Sequence, residues 1–146
     1  MTIEENIAVV NRFAKAINEK DLTALDDIIA PDFVDLDQKL KGLDSFKKYE
    51  SIFLQAFPDM HLTIKDIIAK GDRVWIHSEI TATHKGEFRG ISPTGNKVTF
   101  KNFMIWRIIK GKIVERESQV WDFIDFYKQL GIIKYTEIGK KLFPEK

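Results

Sequence analysis

The chain has no cysteine. That removes disulfides, thiolate metal sites and a cysteine nucleophile from consideration. It has no charge of one sign in excess: 23 basic against 22 acidic residues leave a formal net charge of +1, which offers nothing to nucleic acid or to an anionic membrane surface. No apolar run approaches the roughly 18 residues of a membrane span. The opening "MTIEENIAVVNRF" is acidic and then amphipathic, unlike a signal or transit peptide. A cytoplasmic protein is the expectation. Repeats, low-complexity tracts and linkers are also missing. The 146 residues therefore read as a single domain, 1–146, with a core of about 5–131 and a tail over 132–146.

What is present has an order. Ile3, Ile7, Val10, Ala14 and Ile17 recur at spacings of three and four, which predicts a first helix capped by Thr2. "LTALDDIIA" predicts a short second helix ended by Pro31, followed by an extended "DFVDLD". "GLDSFKKYESIFLQAF" predicts a third helix with Phe46, Tyr49, Ile52, Phe53 and Phe57 to one side, stopped by Pro58. Beyond it the pattern changes to alternation. Two strand pairs turn at Gly71-Asp72 and Lys110-Gly111, and "DFIDFYKQLG" starts a last helix with Asp122 as its candidate cap. Helices first and antiparallel strands after predict an α+β fold, with the N-terminal helices packed on one face of a curved antiparallel sheet.

Alternation also sorts the strand residues. Val74, Ile76, Ser78, Ile80, Ala82 and His84 share one face; Phe100, Asn102, Met104 and Trp106 share one face of the next strand. The opposite faces carry Trp75, Phe103 and Ile105. Large apolar groups there predict a homodimer through that face, the alternative being an ordinary, partly apolar surface.

The stretch "THKGEFRGISPTGNKVTF" is the richest in punctuation. It is not a phosphate-binding loop: Gly90 and Gly95 have the right separation, but Asn96 stands where the lysine belongs, and a strand follows instead of a helix. Metal is not expected. His77 and His84 lie seven apart on one strand, so they point to opposite faces, and no histidine pair has helical i, i+4 spacing. No G-x-S-x-G elbow is present. What remains is acid–base chemistry in an apolar pocket. His84 is a candidate, against the alternative of a hydrogen-bonded histidine at the rim of the core. Glu117, read as sharing a face with Gln119 and Trp121, is a second candidate, against an exposed strand residue. Asp122 is a third, against a helix cap. Phe100, Asn102, Met104, Trp106 and Gln119 are expected to line the pocket.

These residues resemble a known family. "THKGEFRGISPTG" matches the T-H-x-G-x-F-x-G-I-x-P-T-G run of the SnoaL-like polyketide cyclases, "WRIIKGKIVE" resembles their F-R-I-x-x-G-K-I-x-E strand pair, and "YKQLG" their closing helix. The resemblance spans about residues 5–131. It implies the cone-shaped α+β barrel of the nuclear transport factor 2-like superfamily, usually dimeric, with one apolar pocket. It also implies cofactor-free ring closure, in which a carboxylate removes an acidic proton and a histidine assists. Carried onto this chain, the catalytic aspartate falls on Gln119 or Ser118 and the auxiliary histidine on Met104. Only His84 is retained. The expected function is a small-molecule cyclase, isomerase or lyase without cofactor, acting on a hydrophobic carbonyl or ring compound. The alternative is a protein of the same fold that binds a small apolar ligand or a partner without chemistry.

Overall fold

Thr2 opens the first helix as its spacing requires. In the computed structural model, which describes residues 1–144, the Thr2 hydroxyl accepts from the Glu5 N–H while the Glu5 carboxylate accepts from the Thr2 N–H. Helix α1, Ile3–Asn18, buries Val9, Val10, Phe13, Ala14 and Ile17. At its C-terminal end the Asn18 carboxamide bonds both backbone groups of Leu62, at 2.8 and 2.7 Å, and so clamps the helix to the sheet.

The predicted second helix is shorter than its periodicity implied. A 3₁₀ turn covers Leu22–Asp27 only, and Ile29 and Ala30 already belong to strand β1, Ile29–Asp35. Pro31 explains the difference. It disfavours helical backbone in the residue before it and has no N–H for the ladder. It sits within β1 where the pairing register is interrupted between Ile29 and Val34. After the two-residue β2, Leu40–Lys41, helix α2 runs over Leu43–Ala56.

Four longer strands complete the sheet: β3, His61–Lys70; β4, Arg73–Thr83; β5, Lys97–Ile109; and β6, Lys112–Trp121. The spatial order is β2-β1-β6-β5-β4-β3, in one curved, unclosed sheet. Neighbours are antiparallel except β1 and β6, which run parallel; the sheet is mixed at that one junction. Helix α3, Phe123–Leu130, closes one end through Phe126, whose ring is fully buried against Phe57, Phe88, Phe100 and Trp121. A short α4, Gly139–Leu142, lies in the tail and buries none of its residues. Among the described residues no helix is long and apolar enough to cross a membrane.

Two irregularities position everything that follows. In β6, Ser118 pairs with Ile105 and Arg116 with Trp106, so Glu117 is an extra residue, a β-bulge. Unbroken alternation puts Glu117 with Gln119; the bulge separates them. Arg116, Gln119 and Trp121 turn to the helix side. Glu117 instead meets Arg73 on the outer face. The second irregularity is the connection from His84 to Asn96. The His84 N–H donates to Asn96 O and the Gly95 N–H to His84 O, while Lys85 and Gly86 both donate to Ala56 O at the end of α2. Gly86 lies so close to that helix that a Cβ there would collide with the Gln55 carbonyl oxygen.

That contact is with backbone, which cannot swing away. Gly86→Ala is therefore expected to lower stability by about 1–3 kcal/mol through overpacking, measured by chemical denaturation. At Gly90 a Cβ meets nothing within 4 Å, but φ is +81°. Gly90→Ala should lose only the smaller cost of left-handed backbone, about 1–2 kcal/mol.

Candidate functional site

Between the helices and the inner sheet face lies a cavity of about 220 Å³. Its walls are mostly carbon. Phe13 and Ile17 come from α1, Phe53 from α2, Phe100 and Met104 from β5, and Trp121 from β6. A few polar side chains interrupt them: Tyr49 and Glu50 from α2, Asn102 from β5, Arg116 and Gln119 from β6, and Arg89 with Tyr127. Arg89 donates to the Tyr127 hydroxyl at 3.1 Å and lies over the Phe88 ring. An apolar enclosure with a few convergent polar groups is the form that small-molecule sites take.

Glu50 is the carboxyl group of this cavity. It sits on the same side of α2 as Phe46, Phe53 and Phe57, at spacings of four, three and four. Burial pushes its pKa above the usual carboxyl range; the Arg116 guanidinium opposes the shift and Asp35 adds to it. The neighbouring Tyr49 phenol is also raised, chiefly by burial. Both groups are biased toward their neutral forms.

Arg116 is held by Asp35. Arg116 is 2% exposed and Asp35 0%. The Arg116 Nε donates to Asp35 Oδ2 at 2.9 Å and Nη2 to the same oxygen, while Asp35 Oδ1 accepts from the backbone N–H groups of Asp37 and Gln38. The guanidinium lies over the rings of Phe46 and Trp106, at 5.5 and 5.4 Å from their centroids. Among the described residues, the hydrogen-bond partner of Nη1 is the Met104 sulfur, at 3.7 Å.

The residues expected from the sequence are distributed as follows. Phe100, Asn102, Met104 and Gln119 line the cavity. Trp106 is fully buried behind it, packed on Phe13 at 4.8 Å between ring centroids. His84 is fully buried outside the cavity lining; its Nδ1 accepts from the Thr94 N–H at 3.2 Å and its ring stacks on Phe57. Glu117 accepts from Arg73 Nε at 2.7 Å on the outer face, and Asp122 caps α3 by accepting from the Asp125 N–H at 2.9 Å. The structure does not bring His84, Glu117 and Asp122 together, because the bulge turns Glu117 outward and the loop and the cap engage the other two. Among the described residues no three His, Asp or Glu side chains converge as a metal site.

Glu50, Arg116, Asp35 and Tyr49 are functional candidates that the sequence reading did not include. Glu50 had a signal: it is a carboxylate set inside the apolar stripe of α2. The pairing of Asp35 with Arg116, 81 positions apart, had none.

The family model described as SnoaL-like polyketide cyclase matches residues 7–130. The fold is similar to that of AclR, a putative hydroxylase from Streptomyces galilaeus, at 29% identity and a TM-score of 0.83, covering 97% of this chain and 95% of that one. It is also similar to IdmH, a putative polyketide cyclase from Streptomyces antibioticus, at 28% identity and a TM-score of 0.74, covering 86% and 98%. A SnoaL-like protein from Jannaschia Sp. CCS1 shares the fold at 16% identity and a TM-score of 0.82, covering 92% and 97%. Comparison with curated proteins finds no match.

Removing one partner of the buried pair leaves the other charge uncompensated. Asp35→Ala and Arg116→Ala are each expected to cost about 3–5 kcal/mol, whereas the double change Asp35→Leu with Arg116→Met should recover much of that loss. Equilibrium denaturation of the four proteins measures it.

Proposed function

Because the chain belongs to the SnoaL-like polyketide cyclase family, we propose that its cavity performs cofactor-independent acid–base chemistry, of the cyclase or isomerase type, on a small apolar carbonyl or ring compound. Glu50 is the proton-transferring group. The observation that supports this is a carboxyl with a raised pKa among aromatic and aliphatic walls. A carboxylate stripped of water is a stronger base than one in solution, and a C–H acid beside a carbonyl needs only a positioned base, since the carbonyl takes up the charge. Ionised Glu50 accepts the proton from carbon, the bonding pair moves into the enolate, and the protonated carboxyl then returns the proton to the new carbon or oxygen centre. The strand position where the family carries its aspartate is Gln119 or Ser118, so the base comes from α2 instead.

The reading can be tested without knowing the substrate. 5-Nitrobenzisoxazole loses its C–H proton to a carboxylate and opens its N–O bond to a coloured phenoxide. The protein is expected to catalyse this opening with saturation. The rate should rise with pH through a midpoint above the ordinary glutamate value of about 4.3, and Glu50→Gln should reduce it by at least about 100-fold. Equal rates for the two proteins would move the chain to the alternative, a binding protein of the same fold.

Glu50 also links proton binding to stability. Its folded pKa lies above the unfolded value, so between the two the folded state keeps a proton that the unfolded chain has released. Stability falls as pH rises through that window. Glu50→Gln removes the fall and is expected to raise Tm at neutral pH while leaving it unchanged in acid, as thermal melts across pH will show.

The outer sheet face is proposed to meet a second copy of the chain. Ile68 and Val120 are each 61% exposed, Phe103 47% and Trp75 36%. Cross-strand pairing sets them in one block: Ile68 opposite Trp75, Trp75 opposite Ile105, and Phe103 opposite Val120. Light scattering is expected to give a dimer mass that Phe103→Glu reduces to a monomer. A monomeric wild type at micromolar concentration would count this face as ordinary surface.

A further inference from the structure

Two carboxamides in the cavity wall have no task in the fold. Asn102 is 2% exposed, and its Oδ1 is buried without a hydrogen-bond partner among the described residues. Gln119 Oε1 is in the same condition. Both line the cavity. Asn102 pairs with Trp121 and Gln119 with Met104, so the two are diagonal neighbours on the inner faces of β5 and β6. A buried amide left unpaired is a penalty that leucine or methionine would not incur at either position. A third polar group lies beside them: Arg116 spends Nε and Nη2 on Asp35, while among the described residues Nη1 meets only the weak thioether acceptor of Met104.

We propose that Asn102 and Gln119, with Arg116 Nη1, form an oxyanion-binding wall that takes the substrate oxygen on which charge develops. The inference rests on Glu50 being the base. When the C–H bond breaks and its proton passes to Glu50, the electron pair forms a carbon–carbon double bond and the carbonyl electrons move onto oxygen. That oxygen needs donors already in place inside a dry site, where they are worth more than in water. In both carboxamides the oxygen is the buried atom, which leaves the NH₂ group to face it. The guanidinium adds a charged donor whose orientation is fixed by Asp35. The division of labour is then spatial: proton transfer from α2, charge stabilisation from β5 and β6.

Phenolates carry at equilibrium the oxyanion that the reaction forms only in passing, and 4-nitrophenol reports its ionisation by colour. Bound to the wild type, it is expected to be displaced toward the phenolate relative to free solution. Asn102→Leu and Gln119→Met should each weaken phenolate binding by about 10-fold and cancel the colour shift, while nitrobenzene, which fills the same space without the acidic oxygen, should bind as before. Glu50→Gln should keep the phenolate shift. Loss of elimination in Glu50→Gln tests the base, and loss of the phenolate shift in the amide variants but not in Glu50→Gln tests the wall, so the two readings fail separately. The inference is overturned if the wild type produces no shift, if the amide variants retain it, or if nitrobenzene binding falls in parallel.

Discussion

The buried pair of Asp35 and Arg116 is the constraint around which the site is arranged. Neither charge can sit in an apolar interior alone, because the lost hydration is regained only through a well-oriented partner. The pair lies at the one parallel junction of the sheet, where Asp35 ends β1 and is in register with Arg116 of β6. The Asp35 carboxylate also receives the backbone N–H groups of the turn toward β2, so chain direction, sheet edge and charge are settled together. Once Arg116 is anchored, its third nitrogen, its position over Phe46 and Trp106, and its field at Glu50 all follow.

The bulge at Glu117 is what permits this arrangement. Side chains alternate along a strand, and one extra residue reverses every assignment beyond it. With the bulge, Arg116, Gln119 and Trp121 all reach the cavity and Glu117 joins the surface cations. Without it, an inward Arg116 would put Gln119 outside and remove one of the two free amides from the wall.

The order of elements was legible in the sequence because it rests on local signals. Helical spacing from Ile3 to Ile17, the Gly71 and Gly111 turns, and alternation along β4 and β5 are each properties of a few neighbouring residues. Four of the cavity residues, Phe100, Asn102, Met104 and Gln119, were accessible in the same way. What could not be read has a common cause. A bulge leaves no mark in residue type, so Glu117 was assigned to the wrong face of its strand. The Asp35–Arg116 contact joins segments 81 positions apart and has no local correlate. Pro31 was correctly a helix breaker, but its effect reached back over Ile29 and Ala30, whose buried side chains serve a strand equally well. His84 was singled out by type, while its bonds to Thr94 became visible only with the loop closed.

The position of the carboxyl group has a consequence for the chemistry. A base on a sheet strand is fixed by two neighbouring strands. One on α2 is fixed by the packing of a helix, and here the helix end is tied to the loop of Lys85 and Gly86, which donate to Ala56 O. That same loop supplies Phe88 and Arg89 to the cavity. Glu50 and the cavity rim therefore belong to one unit, helix and loop, set against a second made of the sheet with its amides and guanidinium. A ligand that contacts both experiences their separation directly. Gly86 sets that separation: the loop lies on α2 through two backbone hydrogen bonds, with no room for a side chain between them. Gly86 in "THKGEFRGISPTGNKVTF" thus acts on the site through spacing, while His84 acts by closing the loop.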